Sequence, residues 1–164
     1  MAAQEGHDNT AKLLLQHPDI EADTKDVLGR TPLSFAGGNR HDAIVKQLLD
    51  RSDVDVDITD NYGETPLSWS SERGHVKVIE VLLQSLRVNL NSRNMYCRTP
   101  LSYTAGNSHD DVVKLFLKRD DINVHTTDNH NRTALMWALG NGEDTVVQML
   151  KAYIARQSEA REVR

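Results

Sequence analysis

Residues 65–69 read TPLSW, and the same signature stands at 31–35 (TPLSF), 99–103 (TPLSY) and 133–137 (TALMW). Each copy begins 34 residues after the one before. A strict period of this length marks a chain built from stacked supersecondary units, so it is read before anything else. Four full units begin at Asp26, Asp60, Asn94 and Asp128 and divide the chain into 26–59, 60–93, 94–127 and 128–164, with a partial unit over 1–25. Gly6, Arg40, Gly74, Ser108 and Gly142 share one column of this register, and His7, His41, His75, His109 and Glu143 share the next.

The residues of one unit dictate its local structure. DNYG at 60–63 predicts a turn, with Asp first and Gly last, where a positive φ is tolerated. Thr65 then caps a helix with its hydroxyl, and Pro66 occupies the first helical position, where no amide hydrogen is missed. Gly74 ends that helix. VKVIEVLLQ at 76–84 predicts a second helix with Val78, Ile79, Leu82 and Leu83 on one face. Ile44, Val45, Leu48, Leu49 and Val112, Val113, Phe116, Leu117 repeat that face. In DVDVDITD at 53–60, apolar and acidic residues alternate as they do along an extended arm, with Val54, Val56 and Ile58 on one side. A unit of turn, short helix, second helix and arm cannot bury its apolar face alone, but a stack of such units can.

These residues resemble the ankyrin repeat. The likeness runs from the turn glycine through TPL, the small pair after the aromatic, the GH between helices, the LL of the second helix and the VNLNSRN arm at 88–94. It covers roughly residues 2–155. It implies an all-α solenoid of stacked helix-turn-helix units with β-turn or hairpin fingers. The TPLS-plus-aromatic variant is similar to the arrays of large fungal proteins, some with NTPase-type signalling domains upstream. The unit departs from the familiar one in two columns. Ser34, Ser68, Ser102 and Met136 stand where His is usual, and Phe35, Trp69, Tyr103 and Trp137 where an aliphatic residue is usual. Family geometry places those four rings inside the stack. Whether they touch one another or fill separate pockets is left open by the residues.

Composition narrows the function. Charged residues make up 26% and hydrophobic residues 38%, with a net charge of −5, which argues against a protein whose main task is gripping nucleic acid or an anionic membrane. No apolar run approaches the ~20 residues of a membrane helix. A single cysteine, Cys97, allows no internal disulfide and points to the cytosol or nucleus.

Four features mimic chemical sites. The histidine column suggests a metal site, but packed helices lie ~8–10 Å apart and zinc ligands ~2.0–2.1 Å from the ion, so these residues read as helix-joining groups. DVDVDITDNYGE at 53–64 mimics a calcium loop, yet Ile58 stands where that loop needs glycine, and a solvated acidic edge is the plainer reading. Cys97 replaces a turn glycine, at roughly 1 kcal/mol if φ is positive, and reads as an exposed, unactivated thiol. The serines after TPL recur with every structural period and lie in no G-x-S-x-G elbow, so they read as packing groups. No phosphate-binding glycine pattern is present. No enzyme and no cofactor are expected.

Function is then expected at exposed positions that vary between units. The resemblance places partners along the concave face of turn tips and first helices. Carried over by position, the candidate partner-binding residues are Leu28, Arg30, Tyr62, Glu64, Arg73, Met95, Tyr96, Arg98, His130 and Arg132. Leu28, Tyr62, Tyr96 and His130 form a row of bulky tips, and Tyr, Arg and Met are enriched at interface cores. Arg30, Arg98 and Arg132 bring positive charge, so a protein segment with acidic and apolar residues is the expected partner. The alternative is a passive spacer without a partner. The partial first unit leaves an apolar face uncovered, which suggests a piece of a longer array or a start that pairs with something else, the chain being monomeric unless that face self-associates. KAYIARQSEAREVR at 151–164 reads as a charged capping helix.

Overall fold

The computed structural model describes residues 2–162, and side chains to residue 160. Among them lie ten helices and no strand. The partial unit supplies α1 (Ala2–Glu5) and α2 (Asp8–Leu15). The full units supply α3 (Pro32–Gly38) with α4 (Asp42–Leu49), α5 (Pro66–Glu72) with α6 (Val76–Gln84), α7 (Pro100–Gly106) with α8 (Asp110–Phe116), and α9 (Ala134–Asn141) with α10 (Asp144–Glu162). First helices stack on first helices and second on second, so each unit packs against its neighbours in sequence. This is the expected all-α solenoid.

The pentapeptide forms each helix start. Thr31, Thr65, Thr99 and Thr133 are N-caps, and their hydroxyls accept the backbone N–H three residues on. In two units the serine answers: Ser34 and Ser102 Oγ accept the N–H of Thr31 and Thr99 at 2.7 and 3.1 Å, closing a reciprocal capping box. Leu33, Leu67 and Leu101 point inward and are fully buried. The serines are buried too, so they are structural groups. The column of Gly6, Arg40, Gly74, Ser108 and Gly142 has φ of 72°, 67°, 67°, 58° and 74°. Each unit thus makes the same left-handed step between helices. At Gly74 a Cβ would lie 2.4 Å from the His109 ring, so side-chain-free backbone is required there.

The core runs the length of the stack. Ile44, Val45, Leu48, Val78, Ile79, Leu82, Val112, Val113, Phe116, Val146 and Leu150 are buried, as are the arm residues Val54, Val56, Val88, Leu90, Ile122 and Val124. The arm is not a strand, and Ile58 is only half-buried. Its alternation comes from successive turns, one closed by the Asp57 N–H donating to Asp55 Oδ1 at 3.0 Å.

The ends differ from the interior. Leu13 and Leu14 are 70% and 48% exposed, and the partial unit leaves an apolar groove of about 330 Å³ lined in part by Leu14, Ile20, Ile44 and Leu48. At the other end α10 carries a charged outer side, but α9 leaves Met136 and Leu139 exposed. These occupy the columns of the buried Ser34, Ser68, Ser102 and of Gly37, Ser71 and Ala105. The charged helix therefore caps only half of the last unit.

Candidate protein-interaction surface

Each finger is built on the first residue of its unit. Asp60 is 7% exposed, and its Oδ1 accepts the N–H of Tyr62 and Glu64 at 2.8 and 3.0 Å. Asp26, Asn94 and Asp128 do the same for their own turns. The turn closes with a left-handed residue: Gly29, Gly63, Cys97 or Asn131, at φ of 79°, 77°, 58° and 59°. Neighbouring fingers are tied through the backbone. Asn61 donates to Leu28 O at 2.9 Å, Met95 to Tyr62 O at 2.9 Å, and Asn129 to Tyr96 O at 3.0 Å. The bulky row is thus carried on a continuous hydrogen-bonded edge. Its side chains face solvent: Leu28 is 38% exposed, Tyr62 48%, Met95 55% and Tyr96 54%, and His130 is exposed as well.

The charged candidates are placed otherwise. Arg30 lies 4.5 Å from the Phe35 centroid, and its Nη2 and Nε donate to Asp26 Oδ2 at 2.8 and 3.0 Å. Arg132 lies 3.9 Å from the Trp137 centroid and donates to Asp128 Oδ2 at 3.0 Å. Arg98 meets Asn94, which has no carboxylate. Its guanidinium sits between two rings, 3.9 Å from the Tyr103 centroid and 4.0 Å from that of Trp137. Burial pushes its pKa down. The expectation that these three arginines present positive charge to a partner is therefore corrected. Two are neutralised by their own turn aspartates and one is intercalated.

Glu64 is also internal. Its Oε1 accepts the Tyr103 hydroxyl and Asn94 Nδ2, each at 2.6 Å. Burial raises the Glu64 carboxyl against the lowering effect of these bonds, and burial together with the Glu64 carboxylate pushes the Tyr103 phenol up. Trp69 and Trp137 each donate Nε1 to the Oδ2 of Asp60 and Asp128 at 3.1 Å. The four aromatics thus fasten fingers to first helices, with guanidiniums rather than ring faces as their stacking partners.

Arg73 alone of the predicted arginines is exposed with no carboxylate at ion-pair distance among the described residues. It lies 5.1 Å from the Trp69 centroid and donates Nη1 to Gly38 O at 2.5 Å and to Asn39 Oδ1 at 3.3 Å. With Arg30, Phe35 and Trp69 it lines a pocket of about 150 Å³. This pocket had no sequence signal, because it arises where two units meet.

The remaining candidates have structural roles. Nε2 of His41, His75 and His109 lies 3.1, 3.0 and 2.9 Å from the carbonyls of Gln4, Gly38 and Glu72 in the preceding unit. The histidine column therefore joins units, and among the described residues no group of three His, Cys, Asp or Glu is arranged for a metal. Along the acidic edge Asp53 and Asp55 are exposed, as the sequence implies, while Asp57 is half-buried. Asp53 pairs with Arg51, and Asp57 accepts the Asn89 N–H at 3.0 and 3.1 Å. Asp23 and Asn91 play the same part for Asp55 and Asn123. Cys97 is half-buried rather than exposed, because its turn packs beside the next finger.

No described helix is long and apolar enough to cross a membrane. Comparison with protein families gives a match to the model for ankyrin repeats in three copies, over residues 1–94 and again over 86–159. Comparison with curated proteins gives no match.

Proposed function

The chain belongs to the ankyrin-repeat family, whose members are generally non-catalytic protein–protein interaction modules, and from that premise we propose that it is a binding scaffold. It holds an extended protein segment along the finger tips and first helices. The observation that carries this reading is the exposed row of Leu28, Tyr62, Met95 and Tyr96 on fingers whose backbones are tied together. Scattered apolar side chains on a surface need no explanation, but a contiguous row on a rigid edge does. Aromatic side chains held this way lose little conformational freedom on binding, which is what makes them effective anchors.

The partner segment is apolar, with acidic character confined to one place, because among the candidate arginines only Arg73 is exposed without a carboxylate partner among the described residues. The net charge of −5 disfavours nucleic acid and anionic membranes as partners. The free thiol fits a reducing compartment, cytosol or nucleus. The test is affinity capture from source cells with wild type and with the double variant Y62A/Y96A. Capture lost in the variant at an unchanged melting temperature supports the scaffold. An identical catch from both proteins supports a passive spacer instead.

A further inference from the structure

We propose that the pocket between Phe35 and Trp69 receives one carboxylate side chain of the bound segment, clamped by Arg73; this rests on the scaffold reading above. The space is about 150 Å³, smaller than the ~300–1,000 Å³ of small-molecule sites, and so suits a single side chain. Its walls are fixed in advance. Asp60 holds the Trp69 indole at 3.1 Å, and Asp26 holds Arg30 against Phe35. Gly38 O and Asn39 Oδ1 hold one arm of the Arg73 guanidinium. Its Nε and Nη2 have no hydrogen-bond partner among the described residues, leaving donors for a charge-assisted pair.

The other junctions show what such a slot takes. At the third junction it is filled by the chain's own Arg98, lodged between Tyr103 and Trp137. That follows from Asn94, which offers no carboxylate to hold Arg98 back. At the second junction the residue in the column of Arg30 is Glu64, and its carboxylate is bound by the Tyr103 hydroxyl and Asn94. Only at the first junction does the turn aspartate retain the arginine, so the slot stays open. A cationic side chain there would meet Arg30 and Arg73, and an apolar one would leave the donors of Arg73 without a partner. A carboxylate satisfies both.

The test is selection of random dodecapeptides displayed on phage against wild type, R73Q and G38A, each checked by thermal melting. The wild type is expected to enrich peptides with Asp or Glu at one position beside apolar ones. R73Q is expected to lose the acidic preference and keep the apolar one. G38A keeps the charge but puts a Cβ 3.0 Å from Arg73 Nη1 and 3.6 Å from Trp69 Cβ, raising the pocket floor, and should weaken the same peptides. Changing the selected Glu to Gln should cost about tenfold or more in affinity on wild type and little on R73Q. Peptides whose enrichment shows no acidic position, or one that R73Q leaves intact, overturn the inference and leave the scaffold reading standing. No enrichment on wild type overturns both.

Discussion

Asn94 shows how one residue resets its surroundings. In the first and last full units an aspartate at this column captures the arginine four residues on. With an amide there instead, Arg98 turns to the rings of Tyr103 and Trp137. Each cation–π contact contributes roughly 0.5–2 kcal/mol. Replacing Arg98 with alanine should therefore lower stability by about 1–3 kcal/mol in urea denaturation, and a change within the error of the extrapolation would refute this role. At Cys97, φ is 58°, a conformation that strains a side chain by ~1–2 kcal/mol. C97G should raise stability by about 0.5–1 kcal/mol after the entropy of the unfolded glycine is subtracted. A loss in the same measurement would show that the half-buried thiol packs better than the strain costs. The Asp, Asp, Asn, Asp column was visible in the sequence. Its effect was not, because which carboxylate reaches which guanidinium depends on how adjacent units are offset in space.

At the scale of elements, the second helices were legible to the residue in one case, Val76–Gln84, because apolar spacing, length and flanking histidine agreed. The caps were equally plain. The arm looks extended in the sequence because alternating burial at Val54 and Val56 has the same period in a strand and in a run of side-chain-closed turns. The histidine joints carry a pH consequence. Burial, then the positive charges of Arg73 and Arg40, hold the His75 imidazole below its ordinary 6.5, against the raising effect of the Gly38 carbonyl. As pH falls through 6.5 the unfolded chain takes up a proton that the folded chain refuses, so stability is lost on acidification through that window. Melting temperature between pH 7.5 and 5.5 should fall, and H75Q should flatten the slope. An equal slope in both proteins would exclude His75 as the cause. Glu64 and Asp57 act in the opposite sense nearer the carboxylate range. Burial raises both, so their contribution to stability falls as pH rises through their folded pKa values.

Across the whole molecule, stability is a sum of units and junctions. The inner junctions have finger ladders, histidine joints and arm bonds at once, whereas the partial first unit has no finger and an open apolar groove. Amide hydrogen exchange should accordingly be slowest in α5 to α8 and fastest in α1 and α2, and uniform protection would contradict a unit-by-unit stack. Fold and repeat register were readable throughout because every unit restates the same rules. The surface was readable only in part. Leu28, Tyr62, Met95 and Tyr96 stand exposed as their positions implied, while Glu64 and Arg98 turn inward and Arg30 and Arg132 pair with their own turn aspartates. The proposed division of labour has the caps and leucines of the repeated pentapeptide hold the stack and the tips between units recognise the partner. Its most direct test is saturation mutagenesis scored both for cellular abundance and for binding of a peptide selected on the wild type. Substitutions at Thr31, Leu33, Thr65, Leu67, Thr99 and Leu101 should lower abundance and binding together, while those at Tyr62 and Tyr96 should lower binding alone. Variants of Ser68 or Ser102 that abolish binding at full abundance, with the tip tyrosines freely replaceable, would contradict it.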